Sequence, residues 1–177
     1  MLRRLALLTA LVACLAVGWV AWPRLGPGPE LPAPVDPAAR ADRILVEKGA
    51  RRLTAYRGDE VLFSTDIALG FAPEGDKQQE GDGKTPLGLF TIDRKNPQSR
   101  YHLSLGIDYP QPDDIARARA AGVSPGGDIF IHGQPNELAS LVSLPGDWTA
   151  GCIAVTNEEI ETLWAMVEIG TTVEIRP

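Results

Sequence analysis

The rhythm of hydrophobic and polar residues changes at Arg43. From there on, short stretches alternate apolar with polar positions at a period of two: RILVEK, RLTAYR and EVLFSTDIALG, then GLFTIDR, YHLSLGI, DIFIHG, GCIAVT and TVEIRP. Each is bounded by Gly, Pro, Asp or Asn, as expected of half-buried strands joined by tight turns. Gly58 and Asp59, between the second and third stretches, mark a hairpin. Two segments follow a helical period instead. Pro112, Asp113 and Asp114 open an alanine-rich segment that closes at Gly122, with Arg117 and Arg119 toward its end, where the helix dipole favours cations. In the second, Thr156 and Glu159 form a capping box, Ile160, Leu163, Trp164 and Val167 share a face, and Gly170 is expected to stop the helix. The pattern predicts a mainly β domain over residues 43–177 with two or three short helices.

Before Arg43 there is no such alternation. Arg3 and Arg4 precede Leu5 to Trp22, an uncharged apolar run long enough to cross a bilayer as a helix, with Trp19 and Trp22 near its far end. Residues 1–22 are therefore expected to form an N-terminal transmembrane helix that leaves the remaining chain outside the cytoplasm. A clean small-residue cleavage site is missing, so an anchor is preferred to a cleaved signal peptide. Leu11-Val12-Ala13-Cys14 offers a third reading, lipidation at Cys14. Residues 23–42 are rich in proline and glycine and read as a semi-extended tether.

Composition narrows the function. At 177 residues, 44% hydrophobic and 23% charged, the chain holds one globular domain with an ordinary core. The net charge is -6, and removing Arg3 and Arg4 leaves 15 basic residues against 23 acidic ones. That balance argues against nucleic acid or an anionic membrane surface as the main partner.

Cys152 is the only cysteine beyond the apolar N-terminus. Side chains alternate faces along a strand, so Ile129 and Ile131 share one face of DIFIHG while Phe130 and His132 share the other. In GCIAV, Ile153 and Val155 share one face, Cys152 and Ala154 the other. With the isoleucines in the core, His132 and Cys152 both point away from it, each beside a glycine, Gly133 or Gly151. If the two strands are neighbours, imidazole and thiol meet as an activated cysteine nucleophile for acyl transfer through a thioester. The alternative is a buried cysteine acting as a small hydrophobe beside a hydrogen-bonded histidine. Two histidines and one cysteine at loose spacing do not make a zinc pattern. Gly81 to Pro86, GDGKTP, contains the GKT of a phosphate loop, but Gln78 stands where its first glycine belongs and a strand pattern follows, so nucleotide binding is rejected.

His132, a sixteen-residue spacer and Thr149-Ala150-Gly151-Cys152-Ile153 together resemble the His-spacer-[Ser/Thr]-His-Gly-Cys signature of the L,D-transpeptidase catalytic domain, the YkuD-type peptidoglycan enzymes. GDGKTPLGLFTI, Gly81 to Ile92, resembles the same family's segment before its active-site half. The resemblance implies a sandwich- or barrel-like β fold without metal or organic cofactor. It makes Cys152 the nucleophile and His132 the general base, with the Gly133 carbonyl orienting the imidazole and the Gly151 and Cys152 amides holding the oxyanion. The implied substrate is a peptidoglycan stem tetrapeptide, attacked at the L-centre carbonyl of its diamino acid. Terminal D-alanine leaves, and an amine acceptor, a second stem peptide or a lipoprotein lysine, resolves the thioester. Tyr101, His102, Tyr109, Trp148 and Thr149 are the candidates for the substrate groove. A second-shell role is the alternative for His102, and a loop-pinning role for Trp148.

Two positions depart from the family pattern. Its second histidine is Ala150 here, and the Arg or Asn usual two places after the cysteine is Ala154. Such departures resemble a proteobacterial subgroup that includes a hydrolase, so water is an alternative acceptor. An inactive peptidoglycan-binding module is the reading from another class.

Overall fold

The computed structural model describes residues 31–136 and 144–177, so the apolar run Leu5 to Trp22 lies outside the described residues. Among the described residues no helix is long and apolar enough to cross a membrane. The alternating stretches form β1 (Ala41–Glu47), β2 (Arg52–Arg57), β3 (Glu60–Asp66), β4 (Gly88–Ser99), β5 (His102–Ile107), β6 (Phe130–His132), β7 (Ile153–Ala154) and β8 (Val167–Arg176). They join in an eight-stranded sheet of order β3-β2-β1-β8-β4-β5-β6-β7.

The long β4 belongs to both halves of this sheet, its residues Gly88–Thr91 pairing with β8 and its later residues with β5. The two edges then come together. Ala68, just past β3, exchanges backbone hydrogen bonds with Ala154 of β7 at 2.9 and 2.8 Å, and Gly70 bridges Thr149. This closure is the barrel-like feature anticipated from the resemblance. The core inside is aliphatic: Ile92, Leu105, Ile131, Ile153, Ile160 and Leu163 are fully buried, each contributing about 1.5–3 kcal/mol relative to an exposed side chain.

Helix α1 (Pro112–Ala120) begins where the proline and acids predicted, with the Asp114 carboxylate accepting from the Gln111 amide at 3.0 Å. Helix α2 (Asn157–Met166) starts on the expected capping box, with Thr156 Oγ1 accepting from Glu159 N at 3.2 Å and Glu159 Oε2 from Thr156 N at 2.7 Å. Its end corrects the expectation. The helix stops at Met166, and Val167 is already in β8, paired with Ala41. Lys95 explains the early stop: its ammonium takes the carbonyls of Trp164 and Val167 at 2.6 and 2.9 Å, satisfying groups that another helical turn would have used. Gly170, at φ +96, sits where the β1–β8 register shifts between Ala41 and Arg43.

The later part of the Pro/Gly-rich segment is docked on the domain. Val35 N donates to Ala165 O at 3.2 Å, and Arg57 holds the Pro37 carbonyl at 2.7 Å.

Candidate active site

Strands β6 and β7 are neighbours and run parallel, with Ile131 beside Ile153 and His132 beside Ala154. Both isoleucines are sealed in the core. The opposite face therefore carries His132, Ala154 and, one residue before β7, Cys152, as the alternation anticipated. The ladder continues past His132, whose carbonyl accepts from Val155 N at 2.9 Å.

Although it points away from the core, His132 is only 3% exposed. The Tyr101 ring stacks on it with centroids 4.4 Å apart, and Trp148 meets it edge-on at 5.7 Å. His132 Nδ1 lies 2.7 Å from the Gly133 carbonyl. A carbonyl only accepts, so this contact assigns the proton to Nδ1 and leaves the lone pair on Nε2. Burial pushes the imidazole pKa down, and the Gly133 bond opposes this in part. Gly133 is closely packed: a β-carbon there would lie 2.5 Å from Asn157 Oδ1, which would have to shift. Its own amide donates to Tyr101 O at 3.1 Å, so the imidazole, its carbonyl partner and its aromatic cover are tied together.

The Cys152 thiol is half-buried and donates to the Asp128 carbonyl at 3.5 Å. Burial raises its pKa, a backbone hydrogen bond from Phe130 opposes that, and the Asp128 charge adds to the rise. Both directions favour the neutral forms, thiol and imidazole, over the ion pair. The turn before Cys152 is rigid. Gly151 has φ +135, and a β-carbon on it would lie 2.7 Å from Lys84 O. Thr149 Oγ1 donates to Cys152 O at 2.7 Å and accepts from Gly151 N at 3.1 Å. This corrects one assignment: the Gly151 amide is occupied by Thr149, so of the two expected oxyanion donors only the Cys152 amide remains a candidate.

The groove candidates separate. Tyr101 and Trp148 are brought to His132, whereas Thr149 is buried behind the nucleophile turn with its hydroxyl turned onto backbone. His102 starts β5 at φ +63, and its Nε2 is engaged by Glu161 Oε1 of α2 at 2.6 Å, which ties β5 to that helix. Tyr109 is a core residue, 4% exposed, packed edge-on against Phe90 and donating to Pro125 O at 3.1 Å. Burial of the ring and the hydroxyl's bond to Pro125 O leave its phenol no groove to line.

The GDGKTP segment builds structure. Both Asp82 oxygens accept, from Lys77 Nζ at 2.8 Å and from the amides of Gln78, Gln79 and Lys84. Thr85 Oγ1 accepts from Gly70 N at 3.2 Å. The segment abuts Gly151 through Lys84 O, and it leads into β4 rather than a helix. A cleft of about 320 Å³ opens beside Ala154, lined also by Arg51, Asp147, Gln134, Thr156 and Glu159. Cys152 and His132 are not in its lining. Arg51 is held there by Asp147 at 2.8 Å, a pair no local sequence pattern announces. Among the described residues no cluster of His, Cys, Asp and Glu is arranged to hold a metal ion.

The L,D-transpeptidase catalytic domain family, YkuD, matches residues 41–175. YafK of Escherichia coli (strain K12), whose name places it among the L,D-transpeptidases, is 34% identical over 130 residues, which is 70% of this chain and 46% of YafK. The chain therefore spans about half the length of that relative. Among solved structures, the helical cell shape determining protein Pgp2 from Campylobacter jejuni superposes with a TM-score of 0.58 at 28% identity, covering 77% of this chain and 47% of Pgp2. Enterococcus faecium L,D-transpeptidase shares the fold, with a TM-score of 0.51 at 18% identity over 77% of this chain and 50% of that one. With the His132–Cys152 arrangement standing on this fold, the chain belongs to the L,D-transpeptidase catalytic domain family.

Proposed function

We propose that the domain is a peptidoglycan-modifying cysteine acyltransferase. The observation that carries this reading is the parallel β6–β7 pairing, which sets Cys152 and His132 on one side of adjacent strands with the imidazole Nδ1 engaged by Gly133. In the proposed reaction His132 Nε2 takes the thiol proton as sulfur bonds to the L-centre carbonyl carbon of the stem-peptide diamino acid. The oxyanion forms near the Cys152 amide. The C–N bond to terminal D-alanine breaks, His132 returns the proton to the leaving amine, and a thioester remains. An acceptor amine, from a second stem peptide or a lipoprotein lysine, attacks the thioester and regenerates the thiol. The apolar run Leu5 to Trp22 supports an anchored, extracytoplasmic placement, where peptidoglycan lies.

Hydrolysis of the same acyl-enzyme is the second reading, motivated by Ala150 and Ala154. Purified protein incubated with a stem tetrapeptide and a labelled D-amino acid separates the two. Label in the product supports transfer, and a trimmed product without label supports hydrolysis. Loss of all product in wild type, together with no carbapenem adduct on Cys152 by intact-mass spectrometry, favours a binding module and overturns both.

A further inference from the structure

One row of residues crosses the sheet on the face that carries Cys152. Arg94 of β4 pairs with Gly106 of β5, and Gly106 with Phe130 of β6. The Ile131–Ile153 pairing then sets Cys152 next to Phe130. Gly106 opens the row: a β-carbon there would lie 2.6 Å from Arg94 Cγ. With none present, Arg94 lies across the sheet with its guanidinium over the Phe130 ring, 4.5 Å from the centroid. From that position Arg94 Nη2 donates to Asp128 Oδ1 at 3.0 Å. Asp128 in turn holds a left-handed backbone, φ +54, and its carbonyl accepts the Cys152 thiol.

We propose that Asp128 and Arg94 tune the reactivity of Cys152 on top of the burial of its sulfur: Asp128 keeps the thiol proton in place with its main-chain carbonyl and its negative charge, and Arg94 acts through Asp128 by offsetting that charge. A hydrogen bond donated by S–H exists only in the neutral form, so the carbonyl favours thiol over thiolate. The carboxylate disfavours thiolate by Coulomb repulsion, and the guanidinium reduces that repulsion. The other charged group that bears on the sulfur is Lys77, from the loop before β4; His132 lies on the same side of neighbouring β6, and Asp93 shares the Arg94 guanidinium at 2.8 Å. The consequence is a nucleophile that stays protonated until His132 removes its proton. Thiol oxidation follows thiolate character, so the arrangement also protects Cys152 in an oxidising compartment. The proposal rests on Cys152 being the nucleophile, but its test requires no substrate.

The test is the pH dependence of iodoacetamide alkylation, read on the Cys152 peptide by mass spectrometry, for wild type, Asp128→Asn, Asp128→Gly, Arg94→Gln and the double variant Arg94→Gln/Asp128→Asn. Asp128→Gly keeps the left-handed backbone accessible, so the pair of Asp128 variants separates loss of charge from loss of fold. The two Asp128 variants are expected to alkylate about two- to tenfold faster at neutral pH, with the profile moved to lower pH. Arg94→Gln is expected to be slower, with the profile moved to higher pH, and to lose most of that effect when Asp128 is already Asn. An unchanged or upward-moved profile in the Asp128 variants overturns the proposal. So does an Arg94→Gln effect of full size in the Asp128→Asn background, because the guanidinium would then act on the sulfur directly.

Discussion

The Tyr101 ring lies stacked on the His132 imidazole, 4.4 Å between centroids and 28° between planes, and forms the roof of the proposed base. Burial under this roof holds the imidazole pKa below its ordinary value. In Tyr101→Ala the charged form is solvated again, so the His132 midpoint rises toward its ordinary value of 6.5. An NMR titration of the imidazole resonances reads it. Acylation by a carbapenem is expected to slow only slightly at pH 7, where a base near its ordinary value is still mostly neutral, and to fall off progressively toward pH 6 as the base becomes protonated. A midpoint unchanged from wild type would mean that other groups set the burial.

Thr149 predicts a stability effect coupled to reactivity. Its hydroxyl satisfies the buried Gly151 amide and donates to Cys152 O. Thr149→Val keeps the shape but orphans that amide, which costs about 1–3 kcal/mol. The urea midpoint should fall accordingly and acylation should slow, while Thr149→Ser retains both bonds and most of the activity.

Gly151 tolerates no side chain. In Gly151→Ala the β-carbon meets a backbone oxygen at 2.7 Å, and the position has φ +135. Strain at such a position is of order 1–3 kcal/mol, and its relief has to move either the Lys84 strand lead or Cys152. Acylation is expected to fall at least a hundredfold with the far-UV circular dichroism retained. Wild-type acylation in this variant would show that the turn is not fixed by Lys84.

The acid limb of stability reports on the buttress behind that turn. Burial pushes the Asp82 carboxyl up, but the Lys77 ammonium and the amides of Gln78, Lys84 and Gln79 outweigh it and hold the pKa at about 2, against 3.8 ordinarily. A folded-state pKa below the unfolded one gives stability that is present above pH 3.8 and lost as pH falls toward 2. Denaturant midpoints measured between pH 5 and pH 2 should therefore fall less steeply in Asp82→Asn than in wild type.

Face parity made the centre of this site legible before any coordinates: once Ile131 and Ile153 are assigned to the core, His132 and Cys152 have to share the other face. The capping box at Thr156 was equally plain, because its hydrogen bonds are local. What local pattern does not encode is competition from distant residues. Lys95 ends α2 a turn early, and Thr149 takes the Gly151 amide that was expected to serve the oxyanion. Tyr109 reads as a polar tip near a turn, and only its packing on Phe90 shows it to be core. Arg94 and Asp128, 34 residues apart in sequence, carry no local signal, because their relation to Cys152 runs through the cross-sheet register of Gly106 and Phe130.

The strand that follows Cys152 is two residues long, and by itself so short a piece would fray. It is held on both flanks, by His132 on one side and by Ala68 on the other, so that the start and finish of the sheet are sewn together through it. Amide protons at Ala154 and Val155 should consequently exchange with solvent only when the entire domain opens, which makes the thiol's mount as durable as the fold. Variation that alters which acyl groups are accepted must then arise in the surrounding loops, because loosening this seam would unravel the molecule.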